Sequence, residues 1–103
     1  CKENEFRLII AELYDQFNQP EEALKEYVLL IKLMPTVGEY YFKAGKLFER
    51  RKKAEKAVQY YRKAIQLNPR LSNVHYSLGF ILFKAKKNVE AKAEFEAALK
   101  YKA

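Results

Sequence analysis

At 103 residues, 50% of them hydrophobic and 15% aromatic, the chain has enough apolar surface for the core of one small domain, which excludes an intrinsically disordered segment. Three glycines and three prolines are too few for the tight turns of an all-β fold, and the apolar run Leu29–Leu33 is broken by Lys32 and stopped near Pro35, too short to cross a bilayer. The net charge of +7 is unevenly spread: residues 4–37 hold three basic and six acidic side chains (−3), residues 38–71 ten and three (+7), and residues 72–103 six and three (+3).

Phe6, Ile9, Ile10, Leu13 and Phe17 fall at helical spacing and predict a first helix over 4–17. Pro20 at a first turn, with Glu21 and Glu22 suited to the positive end of a helix dipole, starts a second. It carries Ala23, Leu24, Tyr27, Leu30 and Ile31 inward and ends near Leu33, because Pro35 disfavours helical geometry at Met34. Thr36 and Glu39 read as a capping box for a third helix reaching about Arg51, with Tyr41, Ala44, Gly45 and Phe48 inward. A fourth, about 54–67, places Ala57, Val58, Tyr61, Ala64 and Ile65 on one side and stops at Asn68–Pro69. Ser72 is the expected cap of a fifth helix to about Ala85, and Asn88 of a sixth over 89–101. Six helices of about four turns with short connections must pack as antiparallel neighbours, so the expected fold class is all-α.

The stretch 38–71 recurs. Moved back by 34 residues, Gly45, Phe48, Ala57, Tyr61 and Pro69 land on Ala11, Tyr14, Ala23, Tyr27 and Pro35. Moved forward, Gly45, Phe48, Ala57, Tyr61 and Ala64 land on Gly79, Leu82, Ala91, Phe95 and Ala98. Glycine inside a helix costs about 1 kcal/mol relative to alanine, so Gly45 and Gly79 need a reason. Close helix approach supplies one, with small partners expected 12 residues on: Ala57 and Ala91, and Ala23 for Ala11.

This spacing (Tyr41, Ala44, Gly45, Phe48, Ala57, Tyr61, Ala64, Pro69) resembles the tetratricopeptide repeat, with further copies at 4–37 and 72–103 around the best one at 38–71. Arg7 and His75 stand at an often aromatic position, and Leu30 at a usual alanine. The resemblance implies a single domain over 1–103, built as a right-handed superhelical stack of three helix-turn-helix units. It also implies a concave groove lined by the first helix of each unit. Members of the family are adaptors that bind peptides or helices of other proteins and are rarely enzymes.

On that geometry the groove-facing positions are Glu5, Leu8, Ile9, Glu12 and Gln16, then Glu39, Phe42, Lys43, Lys46 and Arg50, then Asn73, Tyr76, Ser77, Phe80 and Lys84. Lys43, Lys46, Arg50 and Lys84 beside Phe42, Tyr76 and Phe80 form the expected binding surface, for a partner with acidic and apolar side chains. Some relatives clamp the carboxylate end of chaperone tails from five positions, which here are Leu8, Glu12, Lys43, Asn73 and Ser77; Glu12 would repel a carboxylate, so that activity is not expected. Nucleic acid is the alternative partner, disfavoured because the basic residues concentrate in one repeat.

One histidine, His75, and one cysteine, Cys1, make neither a metal site nor a thiol dyad, and no phosphate-cradling loop is present, so no enzyme and no cofactor is expected. Cys1 reads as a surface thiol in a cytoplasmic protein, with a lipid-bearing processed N-terminus in an envelope protein as the alternative. Phe95, Leu99 and Tyr101 have no following helix to cover them, so the last helix is expected to meet a continuing repeat array or a second copy.

Overall fold

Each interruption in the apolar pattern becomes a turn. The computed structural model describes residues 2–102; Cys1, and with it the surface-thiol and lipid-anchor readings, lies outside the described residues, as does Ala103. Six helices follow in order: α1 (Lys2–Gln16), α2 (Pro20–Leu33), α3 (Gly38–Arg50), α4 (Ala54–Leu67), α5 (Ser72–Lys84) and α6 (Asn88–Tyr101). There is no strand among the described residues. Each helix packs extensively only on its chain neighbours, most closely within the pairs α1–α2, α3–α4 and α5–α6, so the stack is elongated at 41 × 26 × 21 Å.

The caps differ from expectation. α3 is preceded by Val37 in extended geometry, with no side-chain cap, so the Thr36–Glu39 capping box does not form. Ser72 and Asn88 are the first helical residues rather than caps. The Ser72 hydroxyl donates across to the Ala98 carbonyl at 2.8 Å, tying the start of α5 to α6. The polypeptide satisfies the ends of α1, α3 and α5 with backbone. Gln19, Lys53 and Lys87 donate their N–H to the carbonyls of Tyr14, Phe48 and Leu82, five residues back. The residue before each donor, Asn18, Lys52 and Lys86, sits at φ of 59°, 64° and 67°. This is the left-handed helix ending, repeated at 34-residue intervals.

Two core clusters run through the stack. One joins Ala11, Ala23, Tyr27, Leu30, Ala44 and Leu47; the other is built round Phe48, Ala57, Tyr61, Ala64, Val74 and Leu78. Leu24 and Tyr60 pack against both, so the clusters are continuous. Ala11, Ala23, Gly45, Ala57, Ala64, Gly79, Ala91 and Ala98 are all buried. The atoms nearest the two glycines belong to aromatic rings rather than to the alanines expected. A Cβ at Gly45 would stand 2.7–2.8 Å from the Tyr61 ring, and one at Gly79 would stand 3.0–3.1 Å from the Phe95 ring. Glycine makes room for an aromatic ring 16 residues on.

Tyr61 is fully buried, which is worth about 1.5–3 kcal/mol for a large apolar side chain. Its hydroxyl donates to the Glu49 carboxylate at 2.6 Å. Burial and that bond together push the phenol well above its ordinary range.

Candidate functional site

The first helices bring residues of the first two helical pairs around a cavity of about 340 Å³, lined by Glu12, Asp15 and Gln16 of α1, Tyr27 of α2, and Phe42, Lys43, Lys46, Leu47 and Arg50 of α3. Lys43, Lys46 and Arg50 share one face because offsets of three and four residues stack on a helix. The charge imbalance between the two repeats is resolved here. Lys43 Nζ lies 3.3 Å from Glu12, and Arg50 pairs directly with Asp15. Arg51 is likewise paired with Glu21 at 3.0 Å. The acidic first repeat therefore pairs with three of the ten basic residues of the second.

Lys46 has no ion-pair partner among the described residues; its ammonium lies 5.9 Å from the centroid of the Phe42 ring. Tyr27 is buried at the cavity wall. Burial, with Glu12 and Asp15 adding to it and Arg50 opposing, pushes its phenol up to about 12. The cavity thus offers one exposed ammonium, two salt bridges that an incoming carboxylate or amine could exchange with, and a neutral phenol.

The other candidates have further or different placements. Phe42 has a packing role that the sequence did not suggest: it is half-buried against Tyr61, ring centroids 5.7 Å apart. Ser77 is buried rather than groove-facing. Tyr76 is exposed, but it turns toward α6, packing on Phe95 at 5.9 Å and stacking with Phe80 at 6.2 Å. It lines a different cleft, of about 800 Å³, with Asn73, Leu71, Phe95 and Leu99. Lys84 lies 4.7 Å from the Phe80 ring centroid, and this pair lines neither space. Asp15, Tyr27 and Leu47 are the cavity residues that sequence reasoning missed. The available signal was the sign alternation at nearly one repeat's distance, Asp15 against Arg50 and Glu12 against Lys43.

With this geometry in hand, the likenesses to other proteins can be placed. Residues 45–86 match a family model described as TPR repeat. No curated protein sequence matches the chain at a significant level. Among solved structures, the chain is similar to MamA, with TM-score 0.89 and 21% identity over 95% of this chain and 57% of that one. It is similar to the second TPR of Spaghetti (RPAP3), solved bound to the HSP90 peptide SRMEEVD, with TM-score 0.89 and 19% identity over 96% and 92%. A second MamA structure gives TM-score 0.84 and 21% identity over 95% and 54%. The chain therefore spans little more than half of MamA's length and nearly all of the RPAP3 unit. The six helices share the superhelical fold of these proteins over nearly the whole chain, and residues 45–86 carry the sequence pattern of the tetratricopeptide repeat.

Proposed function

We propose that the chain is a protein-interaction scaffold, and that its concave face takes an extended or helical segment of a partner protein at the cavity between α1 and α3. The observation that carries this reading is the arrangement of Lys46 beside two exchangeable ion pairs, Lys43–Glu12 and Arg50–Asp15, around one cleft. The similar RPAP3 unit holds a peptide, which supports the same use of this fold. The preferred segment carries an acidic group for Lys46 and an apolar or aromatic one for Phe42, since charge-assisted bonds and aromatic anchors dominate such interfaces. Phe80 with Lys84 extends the same chemistry along α5.

Direct titration of fluorescent peptides decides the matter. An acidic-aromatic peptide should bind, and Lys46→Glu should weaken it at least about tenfold at unchanged melting temperature. Equal binding by the variant overturns the site. Generic RNA and DNA, titrated over a salt series, form the second arm. Tight binding there with a steep salt dependence, and none to peptide, favours a nucleic-acid partner over a protein.

A further inference from the structure

The outer side of α4, in the middle of the chain, carries a line of positive charge that the fold does not neutralise. Its inner side buries Ala57, Tyr61 and Ala64. On the opposite side Lys56, Gln59, Lys63 and Gln66 follow at offsets of three and four residues, all exposed. From Lys56 to Gln66 the line runs about 15 Å, at 1.5 Å per residue. Lys52 and Lys53 in the turn before α4, and Arg70 in the turn after it, are exposed too and add cations at the two ends.

Of the seven basic residues in 51–71, Arg51 pairs with Glu21 and Arg62 with Glu90. The other five make no ion pair among the described residues. Glu55 is the one carboxylate of that stretch, and it lies with Lys52, Lys53, Lys56 and Gln59 around a hollow of about 580 Å³. The concentration of basic residues in one repeat, which argues against base-by-base reading along the groove, is what makes this face continuous. None of these residues borders the cavity between α1 and α3.

The line is particular to α4. One repeat earlier, the positions of Lys56, Gln59, Lys63 and Gln66 hold Glu22, Lys25, Leu29 and Lys32; one repeat later they hold Glu90, Ala93, Ala97 and Lys100. A flat anionic surface laid across the second helices would meet Glu22 and Glu90, whereas a narrow polyanion running along α4 follows the cations. The line also lacks any apolar or aromatic side chain, the usual anchor of a protein partner and the stacking platform of a single strand. Lysine, arginine and glutamine without such anchors suit the phosphate backbone of a duplex, which they contact without reading its sequence.

We infer that the outer face of α4 binds the phosphate backbone of double-stranded nucleic acid, independently of the cavity between α1 and α3. The experiment is fluorescence anisotropy of the full chain with short labelled DNA duplexes of unrelated sequence, from about 50 to 200 mM salt. Binding should be alike for the different sequences and fall with salt at a log–log slope of about −4, as for four or so phosphate contacts. Lys56→Gln with Lys63→Gln should weaken it at least about tenfold and make the slope shallower by about two, at unchanged helical circular dichroism. Its affinity for the acidic-aromatic peptide should stay that of the parent chain. Glu55→Gln should tighten the duplex.

Lys32→Gln with Lys100→Gln removes the same charge from the outer faces of α2 and α6, and should change duplex binding by about twofold at most. No binding at the lowest salt overturns the inference. So does equal loss in the two double variants, the mark of attraction by net charge alone. Duplex binding that survives Lys56→Gln with Lys63→Gln but is lost with Lys46→Glu puts the polyanion in the groove and overturns it as well. Phosphatidylserine vesicles bound in place of duplex, and released by Lys56→Gln with Lys63→Gln, would overturn it in favour of a membrane surface.

Discussion

Tyr41 packs against Tyr60 with ring centroids 6.1 Å apart, and one repeat later the same two positions are His75 and Glu94, hydrogen-bonded at 2.8 Å. One repeat earlier they are Arg7 and Glu26, an ion pair at 3.6 Å. A single contact between the first and second helix of a pair is therefore made in three chemistries, and in the first of them Arg7 Nε and Glu26 Oε1 stay buried without a hydrogen-bond partner. The second anchor is shared too. Tyr41 donates its hydroxyl to the Pro35 carbonyl at 3.2 Å, and His75 donates Nε2–H to the Pro69 carbonyl at 2.7 Å. The His75 ring is thus held at both nitrogens, by the Glu94 carboxyl group and the Pro69 carbonyl.

This pairing predicts strong coupling between positions 75 and 94. His75→Ala should destabilise by about 2 kcal/mol, because it leaves Glu94 and the Pro69 carbonyl without their donor. Joint replacement by the tyrosine pair of the central repeat should recover most of the loss, whereas Glu94→Tyr alone should not. A double-mutant cycle by urea denaturation measures the coupling, and additivity would refute it.

The glycines should not behave alike. Gly45→Ala drives a Cβ into a Tyr61 ring held by Glu49 and fully buried, so a loss of about 1–3 kcal/mol is expected. Gly79→Ala meets Phe95 less closely, and that ring borders open clefts into which it can shift. There the strain and the helix-propensity gain of about 1 kcal/mol nearly cancel. Thermal melts of the two variants test the order.

Lys52 and Lys86 hold left-handed backbone without the freedom of glycine. Replacing either by glycine should stabilise by about 1 kcal/mol, since the left-handed conformation costs an ordinary residue roughly 1–2 kcal/mol and the unfolded chain recovers part of that as entropy. A β-branched residue should destabilise. The change in denaturation midpoint at constant m-value is the measurement.

Tyr27 predicts an alkaline limit. Its phenol ionises near 10 when unfolded and at about 12 when folded, so the folded state keeps a proton that the unfolded state releases. The associated stability is intact below pH 10 and falls between about pH 10 and 12, by up to roughly 2–3 kcal/mol. Tyr61 adds to the loss in the same direction. Denaturation at pH 8 to 12 should show a shallower decline for Tyr27→Phe than for the parent chain.

The fold was legible because its signals are local and recur. Proline at 20, 35 and 69 marks turns, and the ring-bearing positions 27, 61 and 95 keep the 34-residue step. The fourth helix was read to its ends, Ala54 and Leu67, for that reason. Caps were read less well. Thr36 is a good capping residue by type, but the chain enters α3 through extended Val37 and makes no such bond. The groove residues were legible by position and not by partner. Lys43 and Arg50 look free in the sequence because Glu12 and Asp15 lie on another helix, about one repeat away. Phe42 was read as an open binding residue, since its contact with Tyr61 depends on the space left by Gly45.

The ion pairs Glu12–Lys43 and Asp15–Arg50 join helices that make no extensive packing contact of their own. They act as tie-rods on the inner curve of a spring. Screening at high ionic strength weakens these partly exposed pairs, so the cross-link they make between α1 and α3 loosens with salt.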